Sequence, residues 1–99
     1  MVASPQQILG VLSANRDGIR RFGVRRLGLF GSHARGEATP ASDLDFVTEL
    51  EAKTFDNYMG LKAFLEDLFH AKVDLVLTDA VKPALRHAIL DHALYAPGF

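Results

Sequence analysis

The stretch GLFGSHARGEATPASDLDFV, residues 28–47, concentrates the residue types that handle phosphate and a divalent cation. Gly31 lets backbone N–H groups approach an anion closely, Ser32 adds a hydroxyl, and a short helical turn opening at Ser32 aims its positive end at the same anion. Arg35, one turn on, suits either a phosphate or an ion pair with a nearby carboxylate. Ten residues separate Ser32 from Asp43, and Asp45 follows. Residues two apart on a strand project to one face, about 6.5 to 7 Å from each other, so these two carboxylates converge while Leu44 and Phe46 turn to the core. Asp74 opens DLVL in the same manner, between Val73 and Leu75, and joins the pair if its strand lies alongside. Three carboxylates on one sheet face repel one another unless a cation intervenes. An all-oxygen set without His or Cys suits Mg2+ rather than Zn2+, and its spacing allows one or two ions.

A rival reading of the loop fails. GSHARG has the glycine spacing of a P-loop, but that loop continues with Lys and Ser or Thr, whereas Glu37 and Ala38 follow here. A carboxylate in place of the phosphate-binding lysine would repel the ligand.

The elements that must position these groups alternate between helix and strand. Ser4, Pro5 and Gln7 make a helix start, and Ile8, Leu9, Val11 and Leu12 supply its apolar stripe. A helix over 5–22 is expected, with Asn15 and Gly18 as the places where it can break, and Gly23 ends it. VRRLGLF then reads as a strand, ARGEATPAS as a loop, and DLDFVTEL as a second strand opening at Asp43. Thr54 caps a helix over 55–70 whose inner face is Phe55, Tyr58, Met59, Leu61, Leu65, Leu68 and Phe69. KVDLVLT is a third strand, Pro83 opens a last helix reaching His92 with Leu85, Ile89 and Leu90 inward, and ALYA adds a short edge strand. The expected fold class is α/β, a small sheet packed with helices.

At 99 residues the chain is expected to form a single domain, 1–99, with no room for a second substrate-binding domain. Eleven basic residues against 12 acidic ones leave a formal charge of -1, so no overall polycation argues for nonspecific nucleic-acid binding. Zero cysteines exclude a disulfide framework and a thiolate site. MVASPQQILG lacks the basic flank and apolar core of a signal peptide, and no 18-residue apolar run occurs, so a soluble, cytoplasmic protein without membrane attachment is expected.

Other notable residues read blandly. His33, His70, His87 and His92 are expected at the surface or at helix ends, and the five-residue spacing of His87 and His92 is wrong for chelation from one helical face. Arg16, Arg20, Arg21, Arg25 and Arg26 face Asp17 alone within eleven residues, which fits a solvated helix end or a surface for RNA or an acidic partner. Tyr58 and Tyr95 fit core or edge packing.

Gly31-Ser32, ten residues, Asp43-Leu44-Asp45 and a later strand Asp resemble the nucleotidyltransferase superfamily that includes DNA polymerase β. The fuller strings LFGSHARGEATPASDLDFV and VDLVLTDAVKPALRHAILDHALYA are similar to the minimal nucleotidyltransferase (MNT) domains of bacteria and archaea, a resemblance that spans residues 5–96. It implies a small mixed β-sheet packed with helices, the polymerase β-like fold. It also implies ATP or another triphosphate held at Gly31 and Ser32, two Mg2+ held at Asp43 and Asp45, and a site completed by Asp74, as metal ligand or acceptor of the hydroxyl proton. MNT proteins are commonly antitoxins of a helical, RNA-cutting HEPN toxin, and some silence it by transferring AMP to a tyrosine. The resemblance therefore implies a protein adenylyltransferase with a HEPN partner, the alternative being a noncatalytic antitoxin that masks its toxin.

Overall fold

The computed structural model describes residues 3–99. Helix α1, Pro5–Ala14, opens on a reciprocal cap: the Gln7 N–H donates to Ser4 Oγ (3.1 Å) and the Ser4 N–H donates to Gln7 Oε1 (2.8 Å). It breaks at Asn15, whose side-chain amide donates to the Val11 carbonyl (2.8 Å), and resumes as α2, Arg16–Arg20. The helix expected over 5–22 is thus two, broken at the first of its two weak positions. Gly23, at φ 77°, turns the chain into β1, Val24–Phe30. Then come α3, Gly31–Arg35, and β2, Leu44–Leu50. Helix α4, Phe55–Phe69, starts where Thr54 Oγ1 accepts the Asn57 N–H (3.1 Å), and β3 is Val73–Leu77.

The chain after β3 departs from expectation. A 3-10 turn, Thr78–Ala80, follows β3, and in place of one helix over 83–92 there are a second 3-10 turn, Pro83–Leu85, and a five-residue α5, Arg86–Leu90, before β4, Leu94–Tyr95. Leu85, expected inward, falls on the tighter 3-10 turn and is 48% exposed.

The strand order is β3-β2-β1-β4, with β1 antiparallel to both its neighbours and β2 parallel to β3, so the sheet is mixed. One face carries Leu27, Leu29, Leu44, Phe46, Leu50, Val73 and Leu75, packed under Ile8 and Leu12 of α1, Ile19 of α2, and Leu61 and Leu65 of α4. Each fully buried side chain of this kind contributes about 1.5–3 kcal/mol. The inner stripe of α4 is narrower than expected: Phe55 (76% exposed) and Met59 (40%), one turn apart, lie on its open flank.

The β3 edge is held by the same helix. Tyr58 OH donates to the Leu75 carbonyl (2.5 Å), and the Val73 N–H donates to a Glu66 carboxylate oxygen (3.2 Å). No helix among the described residues is long and apolar enough to cross a membrane.

Candidate active site

The sheet face opposite the core presents a second row of side chains. Cα pairs Arg26↔Glu49, Gly28↔Val47, Phe30↔Asp45, Asp45↔Asp74 and Val47↔Val76 run across it. Tyr95 of β4 lies over Gly28, where an added Cβ would come within 2.9 Å of the ring. The Asp45↔Asp74 pairing realises the expected adjacency of the two strands, and the parallel ladder begins one residue earlier, where the Leu44 N–H donates to the Lys72 carbonyl (3.0 Å).

Asp43 sits just outside that ladder. The sequence pattern opens the strand at Asp43, but the structure opens it at Leu44, because residues 39–42 form a turn held by Ser42 N–H to the Thr39 carbonyl and Thr39 N–H to Ser42 Oγ, both 3.0 Å. Asp43 and Asp74 are exposed, and Asp45 is half-buried between them. Burial pushes the Asp45 carboxyl above its ordinary range, and the Asp74 and Asp43 carboxylates push it further; His33 and Arg35 pull weakly the other way. The three acidic groups therefore share one electrostatic field.

Gly31 marks where the turn into α3 meets this field. Its φ of 74° lies in the left-handed region, and an added Cβ would overlap the Asp45 carboxylate. Any larger residue would fill the space in which backbone and carboxylate meet. Ser32 follows in the first turn of α3, which Gly36 closes at φ 73°. Arg35 is exposed, and its Nε stands 3.3 Å from Glu37 Oε2. So the side chain of Arg35 is in an ion pair, one of its two expected uses. Exposed pairs of this sort contribute at most about 1 kcal/mol, which leaves the guanidinium available to an incoming phosphate. A groove of about 490 Å3 opens beside Gly31, lined by Phe30, Ala34, Arg35, Ala88 and His92.

The acidic residues suit a hard divalent cation. No ion pair among the described residues joins Asp43, Asp45 or Asp74 to a basic side chain, so their mutual repulsion is offset only through the longer-range pull of His33 and Arg35. Among the described residues no group of three His, Cys, Asp or Glu side chains is gathered closely enough to hold a metal ion by itself. Magnesium is ordinarily bound through one or two carboxylates together with substrate phosphates, and an open carboxylate row beside the Gly31 turn fits that mode.

Two sequence expectations for other residues change. His33, expected at the surface, is buried at 7% exposure with Nδ1 unpartnered, since α3 turns it inward toward Ile8, Leu44 and Phe69. Arg25 and Arg26 are strand residues with partners: Arg25 lies 3.7 Å from Glu51, and the Arg26 guanidinium stacks 4.1 Å above the Tyr95 ring. Sequence reasoning missed His92 and Phe30 as groove residues. Phe30 carried a signal, as the residue before Gly31 on the carboxylate face; His92 carried none, because the placement of α5 is tertiary.

Comparison with known proteins agrees with this geometry. The family model described as a nucleotidyltransferase domain matches residues 14–96. The protein adenylyltransferase MntA of Thermococcus cleftensis is 35% identical over 92 residues, 91% of this chain and 93% of that one. A solved structure assigned to the minimal nucleotidyltransferases superposes with a TM-score of 0.73 at 37% identity, covering 87% of this chain and 93% of its own. At 21% identity, a chain of a toxin–antitoxin crystal structure with AMP-PNP shares the fold, with a TM-score of 0.70 over 98% of this chain and 75% of that one. The sheet that pairs Asp45 with Asp74 beside Gly31 and the match over residues 14–96 lead to one assignment: this chain belongs to the nucleotidyltransferase domain family, in its minimal form.

Proposed function

We propose that residues 1–99 act as a single-domain, Mg2+-dependent protein adenylyltransferase of the cytoplasm that transfers AMP from ATP to a hydroxyl of a partner protein, a HEPN-type toxin. The observation that carries this reading is the parallel register of Asp45 and Asp74 directly beside the left-handed turn at Gly31. The acceptor hydroxyl attacks the α-phosphate in line, and pyrophosphate leaves. Gly31 backbone, the Ser32 hydroxyl and Arg35 hold the triphosphate, Arg35 exchanging Glu37 for phosphate. Asp43, Asp45 and Asp74 are the residues that would hold magnesium, which supplies Lewis acidity toward phosphoryl oxygens when bound. Asp74 lies exposed on the edge strand β3, where a protein acceptor can reach it, and in this reading it either completes the metal ligation or takes the hydroxyl proton. The Thermococcus relative, a protein adenylyltransferase, supports AMP as the transferred group. A fold neighbour, the tri-AMPylated Shewanella oneidensis HEPN toxin in complex with MNT antitoxin, supports the partner class.

Intact-mass spectrometry of the partner after co-expression tests the proposal. Catalytic amounts of this chain with ATP and Mg2+ are expected to silence an excess of toxin and add the mass of AMP, or a small multiple of it. A toxin silenced only by stoichiometric protein, unmodified and without nucleotide, would identify a masking antitoxin instead.

A further inference from the structure

The groove beside Gly31 has a wall that the nucleotide-binding turn does not supply. Arg35 and Ala34 line it from α3, while Ala88 and His92, four residues apart, line it from α5 and the turn that follows. No carboxylate is among its lining residues. The groove on the other flank of α5 differs: Arg26 and Arg86 there are balanced by Glu49, Asp79 and Asp91. Of the two grooves, only the one at Gly31 combines basic side chains with no acidic one. His87, the other histidine of this segment, is engaged elsewhere, its Nδ1 standing 2.5 Å from Asp91 Oδ2. Among the described residues, no hydrogen bond or ion pair involves the His92 ring.

We propose that His92 is a specificity-determining residue of the nucleotide site, contacting the outer phosphates from the α5 side while Gly31, Ser32 and Arg35 hold them from the other. This inference rests on the nucleotide-binding reading above. The two alanines leave room between the walls, and basic groups on both walls favour a triphosphate over a monophosphate, which carries fewer charged oxygens to engage them. Since α5 contributes one wall, the placement of this short helix is part of ligand recognition.

Titration of Mg2+ with ATP and with AMP, by calorimetry and by ligand-observed NMR at millimolar concentration, tests it on the wild-type chain and on the variants His92→Ala, His92→Lys and Arg35→Ala. His92→Ala is expected to weaken ATP about threefold to tenfold, the range for one exposed charge-assisted contact, and to leave AMP within about twofold. His92→Lys, which restores a basic group, should recover most of the ATP affinity. Because His92 is exposed, the variants should melt with the wild type. ATP affinity unchanged by His92→Ala but reduced by Arg35→Ala would overturn the inference and leave the nucleotide site standing. Equal losses for ATP and AMP would assign the groove to base or ribose and also overturn it. A wild-type chain that binds no triphosphate would remove the underlying reading itself.

Discussion

The two faces of the sheet meet in single strands. β2 sends Leu44, Phe46 and Leu50 into the core at 4% exposure or less, and between them it sends Asp45 and Glu49 to the other side. On the core face, apolar area removed from water stabilises the chain, and every neighbour adds to that effect. On the carboxylate face the charges destabilise one another, and no basic side chain among the described residues pairs with Asp45 or Asp74. Alternation at a period of two lets one short segment serve both ends, with stability on one side and reactivity on the other. Substitutions one residue apart should therefore move different observables.

Phe46 gives the largest expected effect. It is fully buried, with its ring 5.8 Å from that of Phe69, and Phe46→Ala should cost about 3–5 kcal/mol in urea unfolding while the molecules still folded keep their nucleotide affinity. One residue earlier, Asp45→Asn should lower transfer on the order of 10^2 to 10^3-fold, the scale seen when one element of transition-state charge stabilisation is removed. Its melting temperature without metal should hold or rise, because a charge leaves a repulsive row. A loss of stability as large as that of Phe46→Ala would show that the faces are not separable. Gly31→Ala lies where they meet, and strained backbone plus the overlap with Asp45 should cost about 1–3 kcal/mol and weaken ATP binding in the same variant. Thr54→Ala, which removes the cap of α4 far from the carboxylates, should cost about 1 kcal/mol with unchanged transfer. Glu37→Gln should change stability by less than about 0.5 kcal/mol, and ATP affinity should hold or increase as Arg35 loses its exposed partner.

Much of this division is legible in the sequence because local chemistry sets it. The cap at Ser4, the break at Asn15, the turn at Gly23 and the strand alternation through Leu44-Asp45-Phe46 depend on neighbours within a few residues, and each appears in the structure. The expected nearness of Asp74 to Asp45 required only that two strands adjoin. What the sequence conceals is decided by packing over distance. Phe55 and Met59 fit the apolar stripe of α4 but stay exposed, Phe55 along a groove it shares with Leu75, Val76 and Leu77 of β3. His33 is a polar residue in a loop-like stretch, and α3 nevertheless turns it under α1. The tail after β3 has helical periodicity, yet only Arg86–Leu90 forms an α-helix, leaving His92 beyond its end and against the groove.

The two bonds from α4 to the outer side of β3, through Tyr58 and Glu66, bear on how the chain behaves in a crowd of its own copies. An edge strand with unsatisfied N–H and C=O groups is a template for further strands, and stacking of that kind leads to aggregates. Here two of those groups are already occupied, and the opposite edge ends in a strand of only two residues, Leu94–Tyr95. Asp74 can thus stand exposed on an outermost strand while part of the backbone on either side of it is already engaged by α4. The same helix that completes the core thereby blunts the edge strand that carries Asp74.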